Sequence, residues 1–198
     1  VVHAGVDRFY DRAGRAGTDS VLVVDVPLLE GDRFTEAARA HGVAPVFIAP
    51  PNADDARLAT SAAQSEGYVY VTSRAGVTGA DTRLKTEGAA LLARLHRLGS
   101  APPLLGFGIS TPDHVRSALA MGAAGAISGS AVVEHIRAFE GRTDEMLAAA
   151  SRFTRAMKFW MFLSVTRWSQ LLDQVLLLLR RVVEVRMASA ALAISFST

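Results

Sequence analysis

The feature that most constrains this chain is a repeated alternation between short apolar runs and longer helical patterns. The apolar runs are rich in β-branched residues, and most are followed by residues with apolar positions at helical spacing. This alternation is typical of βα units around a parallel sheet. Because the runs are continuously apolar, we expect structure to cover both faces of the sheet. The predicted strands are 20–25, 44–49, 68–73, 103–108 and 124–129.

Helical periodicity predicts helices over 31–41, 53–65 and 85–98. The third has an apolar face that ends at Leu98. A further helix is expected to begin at Pro112, because proline fits the first helical position and the preceding Thr111 offers an N-cap hydroxyl. Gly122 is placed to end that helix in a left-handed conformation.

Two architectures contain such units in series, namely a doubly wound sheet and a (β/α)8 barrel. A whole barrel needs about 250 residues, so a body of residues 1–158 has room for only part of one. Glycines follow the last two predicted strands, as in barrels whose final loops bind phosphate. We therefore predict an α/β chain that forms an incomplete (β/α)8 TIM barrel.

Residues 159–198 form a chemically different tail. All 16 glycines and all 7 prolines precede it, whereas both tryptophans lie within it. Leucines and valines at helical spacing predict a mostly helical segment. Its apolar face and its arginines are compatible with packing on the body or with a membrane surface, although we expect no membrane role. The predicted domains are thus a partial barrel over 1–158 and a tail over 159–198.

Composition excludes several classes of function. The chain has no cysteine, so disulfides, thiolate metal sites and cysteine nucleophiles are ruled out. A net charge of +2 is too small to predict a nucleic-acid partner. Neither a signal peptide nor an uncharged apolar run of about 18 residues is present, which favours a soluble, cytoplasmic protein. The 5 histidines show no converging spacing, and we predict no metal site.

Two glycine-containing loops are candidates for phosphate binding. The strand 103–108 ends in Gly106-Phe107-Gly108, and the strand 124–129 leads into Gly129-Ser130 at the start of a short helix. Glycine allows a backbone to approach a ligand closely, and the N–H groups at a helix N-terminus attract an anion. The alternative is that these glycines only make tight turns.

Three other features fall at predicted strand ends. Residues 73–80 contain two glycines and small side chains, as in loops that close an active site, although a plain surface connection fits too. Tyr68 and Tyr70 alternate along their strand, so we expect one ring to face the barrel interior as a ligand contact or as core. Asp25 is expected at the carboxyl end of its strand, where it either acts in the site or caps a loop. Paired carboxylates for acid–base chemistry are absent from the predicted strand ends.

The body resembles the tryptophan synthase α chain over residues 1–158. The similar segments are DSVLVVDVP, APVFIAPPNADD, SRAGVTGA, LLGFGISTPDHV and GAAGAISGSAVV. The resemblance implies strands that correspond to the fourth to eighth units of the barrel. It also implies retro-aldol cleavage of indole-3-glycerol phosphate to indole and glyceraldehyde 3-phosphate. The implied partner is a β chain that carries pyridoxal phosphate in an α2β2 complex, with no cofactor in this chain.

The same resemblance implies roles for individual residues. Gly79, Gly108, Gly129 and Ser130 would hold the substrate phosphate, mostly through backbone N–H groups. Phe107 and Ile127 would line the indole pocket. Tyr70 would lie beside the catalytic acid, while Thr78 and Arg74 would help to close the mobile loop. Asp25 and Pro27 would lie near the surface that meets the β chain.

In the family, the glutamate and aspartate that transfer protons belong to a region before the position of Val1. We therefore expect this chain alone to be catalytically inactive. One alternative is a non-catalytic phosphate-binding half-barrel, or an assembly partner of another chain. Another is a different phosphate-binding barrel enzyme of amino-acid biosynthesis, against which the SRAGVTG and PPNADD runs argue. The tail 159–198 matches no segment of the family.

Overall fold

The computed structural model describes residues 5–72, 82–106 and 108–158. Its contacts divide the chain into two compact units. Of the described residues, the first unit includes those up to 109 and 113–128, and the second includes 110–112 and 129–158. The predicted tail 159–198 lies outside the described residues, and the predicted division at residue 158 stays a prediction.

The first unit contains all five strands that the structure describes. They are β1 (Ser20–Leu22), β2 (Ala44–Ala49), β3 (Val69–Thr72), β4 (Pro103–Gly106) and β5 (Gly125–Ile127). Its helices are α1 (Val6–Arg15), α2 (Asp32–Ala40), α3 (Asp55–Gln64), α4 (Thr82–Arg97) and α5 (Pro112–Ala120). The first residue of α5, Pro112, belongs to the second unit. A 3-10 helix, Leu28–Glu30, follows β1.

The strands form one parallel sheet in the order β1-β2-β3-β4-β5, and a helix follows each of the first four strands before the next begins. A doubly wound sheet reverses its strand order at a switch point. No reversal occurs among these five strands, so the sheet has the consecutive order of a barrel. The predicted incomplete (β/α)8 barrel is confirmed for this part of the chain.

The face of the sheet that packs against the helices forms the main core. Val69 and Val71 on β3 and Leu105 on β4 are buried in one cluster with leucines of the helices. The helical members include Leu58 of α3 and Leu91, Leu92 and Leu95 of α4. A second cluster joins α1 and α2 through Tyr10, Ala38 and Val43.

The opposite face, which would be the interior of a barrel, is less covered. Ile48 of β2, Tyr70 of β3 and Leu104 of β4 are in register across the sheet, and all three are half-buried. Full coverage of both faces was predicted, but only the helix-facing side is well buried among the described residues. The reason is that continuous apolarity shows what a strand can bury and does not show which elements are present to cover it.

Local sequence signals predicted some ends of helices and strands correctly and missed others. Helix α5 begins at Pro112, and Gly122 has the predicted left-handed conformation with φ +100°. Strand β1 ends at Leu22, three residues earlier than predicted, because its pairing with β2 stops there and the chain enters a turn. Helix α4 ends at Arg97, so Leu98 lies beyond it with 46% exposure.

The second unit contains α6 (Ser130–Ala138) and α7 (Thr143–Lys158), which pack against each other. Met146, Ala149 and Ala150 of α7 are buried. The His135 and Phe153 rings lie 4.8 Å apart between centroids. Among the described residues of the whole chain, no helix has the length and apolarity needed to cross a membrane.

Candidate functional site

The candidate site lies at the carboxyl edge of the sheet, where the predicted glycines follow β4 and β5. In parallel α/β folds this edge carries the active site, since every strand delivers its following loop there. Arg74, Thr78, Gly79 and Phe107 lie outside the described residues. The structure describes Tyr70, Gly106, Gly108 and Ile127 in the first unit, and Gly129 and Ser130 in the second unit.

Tyr70 is the only ionisable residue in the five described strands. It lies on the less covered face of the sheet, and its ring packs directly over Gly106 of the neighbouring strand. A Cβ atom at Gly106 would lie 2.2 Å from the Tyr70 Oη and 2.3 Å from its Cζ. The absence of a side chain at Gly106 therefore leaves the space that the Tyr70 phenol occupies. This role of Gly106 was not predicted from the sequence.

Tyr68 lies directly before β3, near Tyr70. Burial raises the pKa of Tyr68, and the nearby Tyr70 raises that pKa further. Residues two apart in a strand point to the same face. Because Tyr68 lies before β3, this rule does not fix the direction of its ring, and the expectation that one ring of the pair faces the interior stays a prediction.

The loop after β4 is defined by Gly108 and Ile109. Gly108 has φ +74°, a left-handed conformation that favours glycine over any residue with a side chain. Ile109 is only 3% exposed, and its carbonyl accepts a hydrogen bond of 2.6 Å from the Ser128 hydroxyl, just beyond β5. The positive φ therefore explains why position 108 is a glycine. The hydrogen bond from Ser128 connects the loop after β4 to the residue that follows β5.

Gly129, in the second unit, is a different case. It is the N-cap residue of α6 with φ −112°, a value open to any residue, and no side chain caps the helix there. No described atom of its own unit lies within 4 Å of the position that a Cβ would take. Neither backbone conformation nor packing within that unit accounts for this glycine. Gly129 lies instead at the exposed N-terminus of α6, where the first N–H groups of a helix have no partner within the helix.

Asp25 and Pro27 lie in the turn that connects β1 to the 3-10 helix, and both are exposed. Asp25 was expected at a strand end and is instead displaced into the turn, because β1 pairs for only three residues. Large apolar side chains accompany them: Val24 is 67% exposed and Leu29 is 90% exposed. Sequence reasoning missed these two neighbours, since exposure of an apolar residue has no local sequence signal.

An apolar groove of about 430 Å³ lies beside this turn. The turn, the end of β2 and the first two turns of α3 enclose it. Its lining includes Leu22, Val24, Pro27, Leu29, Ile48 and Arg57. Exposed apolar side chains around a groove mark a surface suited to contact with another molecule.

No group of three or more His, Asp or Glu side chains that could hold a metal ion occurs in the part of the chain that the structure describes. The five described strands also contain no carboxylate. The described strands therefore supply no acid–base pair of carboxylates.

The parallel sheet, its consecutive order and the glycines at its carboxyl edge define the class of the protein as an incomplete (β/α)8-barrel protein. A family model described as tryptophan synthase alpha chain matches residues 1–161. The chain belongs to the tryptophan synthase alpha chain family, which confirms the resemblance found in its sequence.

Curated relatives include the tryptophan synthase alpha chain of Shewanella oneidensis, which is 54% identical over 78% of this chain and 55% of the relative. That of Edwardsiella ictaluri is 54% identical over 80% of this chain and 59% of the relative. The chain therefore spans little more than half the length of these relatives.

Solved structures agree with this assignment. One from Pyrococcus furiosus concerns mutual activation of the tryptophan synthase α2β2 complex. It is 35% identical, covers 79% of this chain and 62% of that chain, and has a TM-score of 0.69. A tryptophan synthase α-subunit structure from the same organism has a TM-score of 0.67 and covers 81% of this chain.

Proposed function

We propose that this chain provides the phosphate-binding and indole-binding part of a tryptophan synthase α chain. The reaction of the whole protein would be retro-aldol cleavage of indole-3-glycerol phosphate to indole and glyceraldehyde 3-phosphate. The observation that carries this proposal is Gly129, a glycine at a helix N-terminus that neither its φ nor its neighbours require. A ligand that approaches the backbone closely would require it.

The proposed roles follow the family residue by residue. Gly79, Gly108, Gly129 and Ser130 bind the phosphate, largely through backbone N–H groups that stabilise an anion. Phe107 and Ile127 contact the indole. Tyr70 would lie beside the catalytic acid, and Arg74 and Thr78 would act in the loop that closes over the substrate. Indole is apolar with one N–H donor, which suits the less covered, largely apolar face of this sheet.

Cleavage requires an acid that protonates the indole ring carbon and a base that removes a proton from the indole nitrogen. The described strands carry no carboxylate for either task. We therefore propose that this 198-residue polypeptide by itself binds ligand without releasing indole. Binding that is equal in the ground state and the transition state does not lower the barrier of the chemical step.

The phosphate site is tested by calorimetric titration of the chain with glycerol phosphate. The expected result is saturable binding that is lost in Gly129→Val, because the side chain would enter the space above the helix N-terminus. Gly141→Asn is the matched control, since Gly141 has φ +82°, which asparagine tolerates, and no described atom lies within 4 Å of its Cβ position. Equal binding by the unsubstituted chain and Gly129→Val would contradict the proposed site.

We further propose that the surface around Asp25 and Pro27 contacts a tryptophan synthase β chain in an α2β2 complex. The exposed Val24 and Leu29 support this, because apolar side chains at this exposure gain from burial in an interface. Pyridoxal phosphate would belong to that partner, with no cofactor in this chain, and the cytoplasm is the proposed location. Leu29→Asp should weaken capture by a purified β chain, whereas exposed Val133→Asp on α6 should not.

A further inference from the structure

Beyond their backbone pairing, a side-chain hydrogen bond also connects the residues that follow β4 and β5. The register of the two strands ends with Gly106 opposite Ile127. Past that point, the Ser128 hydroxyl donates to the Ile109 carbonyl over 2.6 Å. The bond therefore extends the connection between the strands into the loop that contains Gly108.

Ser128 lies one residue before the N-cap position, from which a serine hydroxyl would cap the helix, so its hydroxyl is available for another partner. Here Gly129 is the N-cap of α6 and no side-chain oxygen caps the helix. Ser128 has one proton to donate, and the structure directs it to a carbonyl that belongs to a 3% exposed residue. A buried carbonyl without a partner is unfavourable, so the hydroxyl fixes where Ile109 lies.

We propose that Ser128 is a positioning residue for phosphate binding: its hydroxyl holds the Ile109 carbonyl and thereby fixes the backbone of Gly108, which precedes it. This inference rests on the proposed function, because it concerns how the loop after β4 presents its N–H groups to a phosphate monoester. Backbone donors act on a ligand only when they are held to within about 0.5 Å of the productive geometry. Ser128 does not itself need to touch the ligand.

The test uses the full chain and titration calorimetry with glycerol phosphate. Ser128→Ala should raise the Kd about tenfold, the effect of one well-formed hydrogen bond on the geometry of the donors. Ser128→Thr keeps the hydroxyl and should bind within about twofold of the unsubstituted chain. Should Ser128→Ala fail to unfold cooperatively, Ser128→Cys replaces it with a weak donor of similar size, and the same loss is expected.

Ser61→Ala is the matched control. Ser61, on α3, also donates its hydroxyl to a strand carbonyl, that of Ile48, over 3.2 Å. This variant should lose stability but keep the Kd for glycerol phosphate, because its bond lies away from β4 and β5. A purely structural role of Ser128 would make the two alanine variants behave alike.

The outcomes separate this inference from the proposed function. Saturable binding that Ser128→Ala leaves unchanged, or that Ser61→Ala weakens as much as Ser128→Ala does, would overturn the role of Ser128 alone. Failure of threonine to restore binding would also overturn it. Absence of saturable binding in the unsubstituted, cooperatively folded chain would overturn the phosphate site itself and the role of Ser128 with it.

Discussion

The contact between Tyr70 and Gly106 leads to a prediction about substitutions at both positions. A methyl group at Gly106 would lie 2.2 Å from the Tyr70 Oη, 2.3 Å from Cζ and 2.9 Å from Cε2. Non-bonded carbon atoms prefer separations of about 3.5–4.0 Å. Gly106→Ala therefore forces the phenol out of its position, and overpacking of this kind costs about 1–3 kcal/mol.

We expect Gly106→Ala to lower the free energy of unfolding by about 2 kcal/mol, measured by urea denaturation and circular dichroism. Tyr70→Phe should not relieve the clash, because it removes only Oη and leaves Cζ at 2.3 Å. Tyr70→Ala removes the whole ring. In that background Gly106→Ala should cost less than about 0.5 kcal/mol, which gives a coupling energy of about 1.5 kcal/mol.

Gly88→Ala is the control with the same chemical change. Its Cβ would meet Met121 Sδ at 3.5 Å, an ordinary contact, and the position lies within α4. Replacing a helical glycine by alanine stabilises by up to about 1 kcal/mol, so the sign should be opposite. Additive effects of Gly106→Ala and Tyr70→Ala would refute the reasoning, since independent sites show no coupling.

Two further predictions concern pH and the core. Burial raises the pKa of Tyr10 and Tyr68 above the usual 10.0, so the native state binds these protons more tightly than the unfolded chain does. This contribution to stability is complete below about pH 10 and is lost as the pH rises through the raised pKa. Tyr10→Phe should reduce the fall in unfolding free energy between about pH 9 and about pH 11. Separately, Leu58→Ala should destabilise by about 2–5 kcal/mol, because Leu58 is 0% exposed in the core. Leu29→Ala, at a 90% exposed position, should change the free energy by less than about 0.5 kcal/mol. Similar losses for the two leucine variants in urea denaturation would contradict the assigned core.

Local patterns predicted much of the fold. The five apolar runs all contain strands, and Pro112 and Gly122 mark a helix start and a helix end as expected. These features depend on residues close together in the chain, such as a proline ring that fixes φ or a glycine that adopts a positive φ. The short β1 was harder to predict, since its end is set by pairing with β2 rather than by the apolarity of Val23 and Val24.

The candidate site shows the same division. Glycines 108 and 129 were identified from their positions after strands, but the sequence does not distinguish their causes. The structure explains Gly108 by a positive φ and leaves Gly129 without an explanation in its own unit. Two contacts, that of the Tyr70 ring with Gly106 and the hydrogen bond from Ser128 to Ile109, depend on the registers of neighbouring strands. A register is set by residues far apart in the chain, so local sequence patterns do not predict it.

We propose that the chain binds ligands of the tryptophan synthase α type without supplying the acid and base for cleavage. Calorimetric titration with indole-3-glycerol phosphate, followed by assay of the same sample for indole, tests it most directly. We expect saturable binding at one site per chain and no indole. Absence of binding in a cooperatively folded chain, or release of indole by that chain, would contradict it.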